Sequence, residues 1–173
     1  MTSRRTATEF DGREVIADRL RTQRHDVRSQ VAERLRVRDH ARMSQLRLRL
    51  SASPEEVPFA RAAITRLCEH LEIDDEQTNN IRLAVTEACS NCALHAYDEG
   101  TARGTYVLDA RVDQHALRVT VCDSGLGVHN TGANIHPGLG CSLYLIQTLS
   151  DSAEITSRPG GGTRVVMRFA MCA

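Results

Sequence analysis

The chain has 173 residues, zero formal net charge and 41% hydrophobic residues, which suits one core-bearing domain with an appendage better than two full domains. Aromatic residues make up only 3% and tryptophan is absent, so a stacking platform for single-stranded nucleic acid is not expected. All 22 basic residues are arginine; without lysine, neither P-loop phosphate binding nor Schiff-base chemistry is available.

Residues 1–44 are polar, arginine-rich and weakly periodic. Eleven arginines stand against seven acidic residues over positions 1–45, so this part is net basic and the remainder net acidic. It reads as an extension, with VIADRL and VAERLRV as short helical pieces. Such an arm is either a solvated helix or a contact for an acidic surface or nucleic acid. No apolar run is long enough to cross a membrane, and the N-terminus is too charged for a secretory signal. A cytoplasmic protein is expected.

The domain is expected over 45–173. LRLRL (46–50) alternates strictly and predicts a strand. A helix follows, with Ser53 as its cap, Pro54 and Pro58 in the first turn, and Glu55 and Glu56 at the positive end of its dipole. Positions 59, 60, 63, 64, 67, 68 and 71 give it one buried face. IDDEQTNN opens a second helix that runs to about Tyr97. TYVLDARV (105–112) and ALRVTVCD (116–123) predict two strands with a hairpin at DQH. A Gly-rich loop leads to a helix over 141–150. AEITSR (153–158) and TRVVMRFAM (163–171) are the last strands, joined across PGGG. Helices packed on antiparallel hairpins argue an α+β two-layer sandwich.

Six cysteines lie at 68, 89, 92, 122, 141 and 172. Cys89 and Cys92 form a C-x-x-C inside a helical pattern with no second pair nearby. Zinc needs more ligands than that, and packing is the expected role. Cys141 stands at a helix start, where either a lowered pKa or burial is possible.

On the second helix, Ile81, Val85, Ala88, Cys92 and Ala96 gather into one stripe, with Glu87, Asn91 and His95 along its border. Alone, such a pair is an ordinary helix edge. A carboxylate and an amide on the rim of a core face also suit proton removal and Mg²⁺ ligation. CDSGLG (122–127) then ends a strand with Asp-x-Gly-x-Gly. That is turn language, or an acceptor with glycines that let a ligand approach. Gly138-Leu139-Gly140 opens a helix whose free amides can bind phosphate without lysine. The last glycine run places Thr163 before the final strand, which a tight turn alone would explain.

Together these elements resemble the GHKL, or Bergerat-fold, ATPases, and within them the bacterial anti-sigma factor serine/threonine kinases. RLAVTEACSNCALHAY is similar to that family's N-box helix, VTVCDSGLG to its adenine box, GLGCSLYLI to its second glycine box and GGGTRVVMRF to its Gly-Thr box. The likeness runs from about Leu46 to Phe169. It implies a Bergerat fold with a mixed, mainly antiparallel sheet. It also implies an ATP- and Mg²⁺-dependent protein-serine kinase that sequesters a sigma factor and phosphorylates an antagonist protein.

By the same resemblance, Glu87 would activate the attacking hydroxyl, Asn91 would hold Mg²⁺, and Asp123 would read the adenine amine. Gly125 and Gly127 would shape the base pocket. Gly138 and Gly140 would let the lid close, and Thr163 would sit beside Asp123. A homodimer is implied; direct nucleic-acid binding is not expected. Residues 128–137 form a short lid with no Arg or Lys, and His136-Pro137 replaces the family's usual lead into the second glycine box. Two other readings stand beside this one: a non-catalytic ATP-binding switch, and the catalytic domain of a sensor histidine kinase. Glu87 separates the first from the kinase, since a binding module needs no base.

Overall fold

A computed structural model describes residues 44–97, 104–127 and 137–171, with only the backbone described at 137–140. All but the last residue of the expected extension, and loop residues 128–136, lie outside the described residues.

Five strands form one sheet: β1 (Gln45–Ser51), β2 (Thr105–Asp113), β3 (Ala116–Asp123), β4 (Ser152–Ser157) and β5 (Thr163–Ala170), in the order β1-β2-β3-β5-β4. The pairing expected as mainly antiparallel is antiparallel at all four described interfaces. Alternation decides the faces. Leu117, Val119 and Val121 of β3 point into the core beside Tyr106 and Leu108 of β2 and Met167 and Phe169 of β5. Arg118, Thr120 and Cys122 lie on the other face.

Helices α1 (Val57–His70) and α2 (Asp75–His95) supply the second layer, and α3 (Pro137–Leu149) packs against α2. Helix α1 buries Phe59, Ala60, Ala63, Ile64, Leu67 and Cys68, the face read from the sequence except for the partly exposed Leu71. Each large, fully buried aliphatic or aromatic side chain of this core contributes about 1.5–3 kcal/mol relative to exposure.

Ser53 does not cap α1 through its side chain. A 3₁₀ turn, Pro54–Glu56, precedes the helix, and the Glu56 amide that a serine cap would take is used by the Ser53 carbonyl at 3.1 Å. Helix α2 starts with the cap α1 lacks: the Asp74 carboxylate accepts from the Gln77 amide at 2.8 Å, an arrangement worth about 1 kcal/mol. Helix α3 begins at Pro137, four residues before the expected start. Gly138 and Gly140 therefore lie within its first turn rather than ahead of it. Glycine's poor helix propensity argued for the later start, whereas Pro137 at the first position favours the earlier one.

Cys68, Cys89 and Cys92 are buried free thiols, as the packing reading requires. Burial pushes Cys68 from 9.0 to about 11 and Cys89 from 9.0 to about 12. The unfolded chain therefore loses these protons first as pH rises. The stability gained from burying neutral thiols is complete below pH 9 and is lost as pH climbs towards 11–12. Urea midpoints should fall across that window, and fall less in Cys89→Ala.

Candidate functional site

Strand β3 ends on Asp123, which is 4% exposed. A buried carboxylate needs donors, and three elements supply them. Oδ1 accepts from the Gly125 amide at 2.9 Å and the Thr163 amide at 3.1 Å. The Cys92 thiol, reaching from α2, donates to Oδ2 at 3.8 Å. Burial and then the neighbouring Asp123 charge push the Cys92 thiol well up, so it stays protonated and able to donate. The Arg158 guanidinium donates to the Asp123 carbonyl at 2.8 Å. A thiol is a weak donor, so Oδ2 keeps most of its accepting capacity.

Glycine is required where the chain closes round this carboxylate. A Cβ on Gly125 would stand 1.8 Å from the Ala96 carbonyl oxygen, which accepts from the Leu126 amide at 2.9 Å. At Gly162, φ is +91° and a Cβ would meet the Asp123 carbonyl oxygen at 2.3 Å. The β4–β5 turn is thus pressed onto the Asp123–Gly127 loop. Gly125→Ala should lower stability by about 1–3 kcal/mol, the usual range for overpacking, read as a lower urea midpoint. At Gly160 a Cβ meets no atom within 4 Å but φ is +87°, so Gly160→Ala should show the cost of backbone strain alone, about 1–2 kcal/mol, without a clash.

Asp123, Gly127 and Thr163 line a cavity shared with Asn91 and His95 of α2. Ala88, Leu143 and Val165 give it apolar walls. The structure therefore brings together four of the residues singled out in the sequence: Asn91, Asp123, Gly127 and Thr163. Gly125 lies behind the cavity, against α2. Glu87 sits one turn from Asn91 and is not among the lining residues; its Oε2 accepts from the Ser142 hydroxyl on α3 at 2.7 Å. Gly138 and Gly140 belong to the helix that carries Ser142.

An acceptor-rich carboxylate above apolar walls fits a planar base that offers an exocyclic amine. Among the described residues, no three His, Cys, Asp or Glu side chains cluster as a metal site. A divalent cation here would need oxygens from a bound phosphate to complete its shell, and the Asn91 amide fits as one ligand of such a set.

A family model for the histidine kinase-like ATPase domain matches residues 50–169. The chain belongs to the histidine kinase-like ATPase family. Among its relatives, the anti-sigma F factor of Clostridium perfringens (strain SM101 / Type A) is 26% identical over 134 residues, covering 72% of this chain and 95% of that protein. The anti-sigma F factor of Thermoanaerobacter pseudethanolicus is 29% identical over 127 residues, covering 68% and 87%. A solved structure of the RsbU and RsbW domains of a Mycobacterium tuberculosis protein matches with a TM-score of 0.58 at 20% identity. That match covers 73% of this chain and 32% of the other, and it shows the histidine kinase-like ATPase fold. In this family member, Cys92, Arg158, Gly162 and Ser142 are neighbours of the site that the sequence reading did not single out. Cys92 was placed on the buried stripe, and only the three-dimensional approach of α2 to the end of β3 reveals its partner.

Proposed function

We propose that this chain is an ATP-dependent protein-serine kinase of the anti-sigma type, with residues 45–173 as its kinase domain. The observation that carries the reading is Asp123, a buried carboxylate with one oxygen held by two backbone amides and the other met by a single thiol. This arrangement is suited to accept the adenine amine. Asn91 lies along the same cavity and is assigned to Mg²⁺. Gly138 and Gly140, in the first turn of α3, are assigned to offer helix amides to the phosphates. Glu87 is assigned as the base that takes the proton from a partner's serine as its oxygen attacks the γ-phosphorus and ADP leaves. Mg²⁺, when bound with ATP, supplies charge neutralisation on the phosphates.

The anti-sigma F factor relatives support a sigma factor as the sequestered partner; an antagonist protein as the phosphoacceptor is part of the proposal. Homodimerisation and a cytoplasmic location belong to the same proposal. Among the described residues, no helix is long and apolar enough to cross a membrane.

The Ser142–Glu87 bond favours a second reading, an ATP-binding switch without catalysis, because it ties one oxygen of the proposed base to the neighbouring helix. Incubation with γ-labelled ATP, Mg²⁺ and cognate antagonist candidates separates the two. Label on a partner serine is the kinase result; ATP binding with no transferred label is the switch result. Failure to bind ATP would sink both.

A further inference from the structure

Among the described residues, the sheet face turned away from α1 and α2 carries six arginines: Arg47, Arg49, Arg111, Arg118, Arg164 and Arg168. The strand register puts three of them in one row, with Arg111 opposite Arg118 and Arg118 opposite Arg168. Neighbouring strands are only about 4.8 Å apart, and like charges directly opposite one another destabilise a sheet. Arg47 pairs with Asp109 at 3.3 Å and Arg168 with Asp113 at 3.7 Å. Among the described residues, no carboxylate pairs with Arg49, Arg111, Arg118 or Arg164, and the buried Nε of Arg118 has no hydrogen-bond partner. Glu154 is the third acidic residue on the face, leaving six positive charges against three negative. A row of three arginines with a carboxylate on only one of them is a poor way to stabilise a sheet and a good way to meet further carboxylates, which the planar fork binds in pairs.

We propose that this sheet face is a docking surface for an acidic protein. Charge complementarity selects the occupant. A second copy would bring the same arginine-rich face, and the chain's own N-terminal arm is also net basic. Nucleic acid fits less well: three carboxylates are interspersed among the arginines, and among the described residues no aromatic side chain lies on this face for stacking. Val107 and Val166, partly exposed, lie on the same face next to Cys122 and Thr120. A small apolar centre ringed by charge is the anatomy of a protein interface. This proposal stands whether or not the ATP site catalyses transfer.

The test uses the full chain with fluorescein-labelled poly-L-glutamate as the acidic probe, in 50 and 300 mM NaCl. Wild type should bind, and lose at least tenfold in affinity at the higher salt. Arg111→Gln/Arg118→Gln/Arg168→Gln should weaken binding at least tenfold in 50 mM NaCl and melt no lower than wild type. Arg61→Gln/Arg66→Gln, on the opposite layer, should change affinity less than twofold. If the triple variant melts early, Arg111→Gln alone, at an exposed position, should weaken binding at least threefold. The proposal is overturned if the two sets of variants lose equally, or if no probe binds. It is also overturned if a 20-base-pair duplex binds more tightly through the same three arginines, or if the triple variant abolishes a dimer that the probe does not disturb.

Discussion

Glu87→Gln should lower transfer of the ATP γ-phosphate to a partner serine by roughly 10²–10⁴-fold, the usual contribution of a positioned general base, with ATP affinity held within about threefold. Geometry makes the test clean. Glu87 is only partly buried at the border of α2, and its one described side-chain partner is Ser142 across the helix pair. Glutamine keeps an oxygen of the same reach, so the Ser142 hydroxyl still has an acceptor and α3 should keep its place on α2. What glutamine lacks is the ability to take a proton. Asn91 and Asp123 line the cavity that Glu87 does not, so the proposed roles of nucleotide binding and proton removal fall on different residues. Single-turnover transfer and equilibrium ATP binding, measured on the same preparations, check this. Unchanged transfer in the variant would remove Glu87 from the chemistry. A matching fall in ATP affinity would make it a binding residue instead. Ser142 takes only Oε2 of Glu87, so Oε1 remains for the substrate hydroxyl.

The layered fold was legible because periodicity reports burial directly. Strict alternation in LRLRL and ALRVTVCD marked β1 and β3, and the stripe from Ile81 to Ala96 marked the buried face of α2. Two features were not legible, for different physical reasons. The start of α3 was missed because Gly138 and Gly140 are poor helix formers, and local propensity pointed to Cys141. The Ser53 cap was expected from residue type, but the two prolines and a 3₁₀ turn changed which amides were free. At the site, motif order singles out Asn91, Asp123, Gly127 and Thr163, and they share one cavity. Cys92, Arg158 and Ser142 bond to site residues 31, 35 and 55 positions away, and no local pattern encodes such partners. Gly162 lay unremarked in a glycine run that a turn alone explains; its special demand arises from the backbone of another loop pressed against it.

Asp123→Asn should lower ATP affinity by roughly 10–100-fold, the loss of a hydrogen bond to a charged acceptor together with the new donor's repulsion. In the favourable rotamer the asparagine oxygen replaces Oδ1 and still accepts from the Gly125 and Thr163 amides, so the loop and the β4–β5 turn stay docked. Its NH₂ then replaces Oδ2, beside the Cys92 thiol, and presents a donor where the adenine amine needs an acceptor. The reverse rotamer aims NH₂ at two backbone amides and is worse. Asp123→Ala is a different experiment. It leaves both amides without their acceptor, at about 1–3 kcal/mol for each buried unsatisfied group, and should lower the melting temperature as well as binding. Titration calorimetry with ATP, paired with thermal melts, distinguishes the two variants. Wild-type affinity in Asp123→Asn would show that the carboxylate only braces the loop, and would take the adenine assignment away from the residue on which the whole reading of the cavity rests.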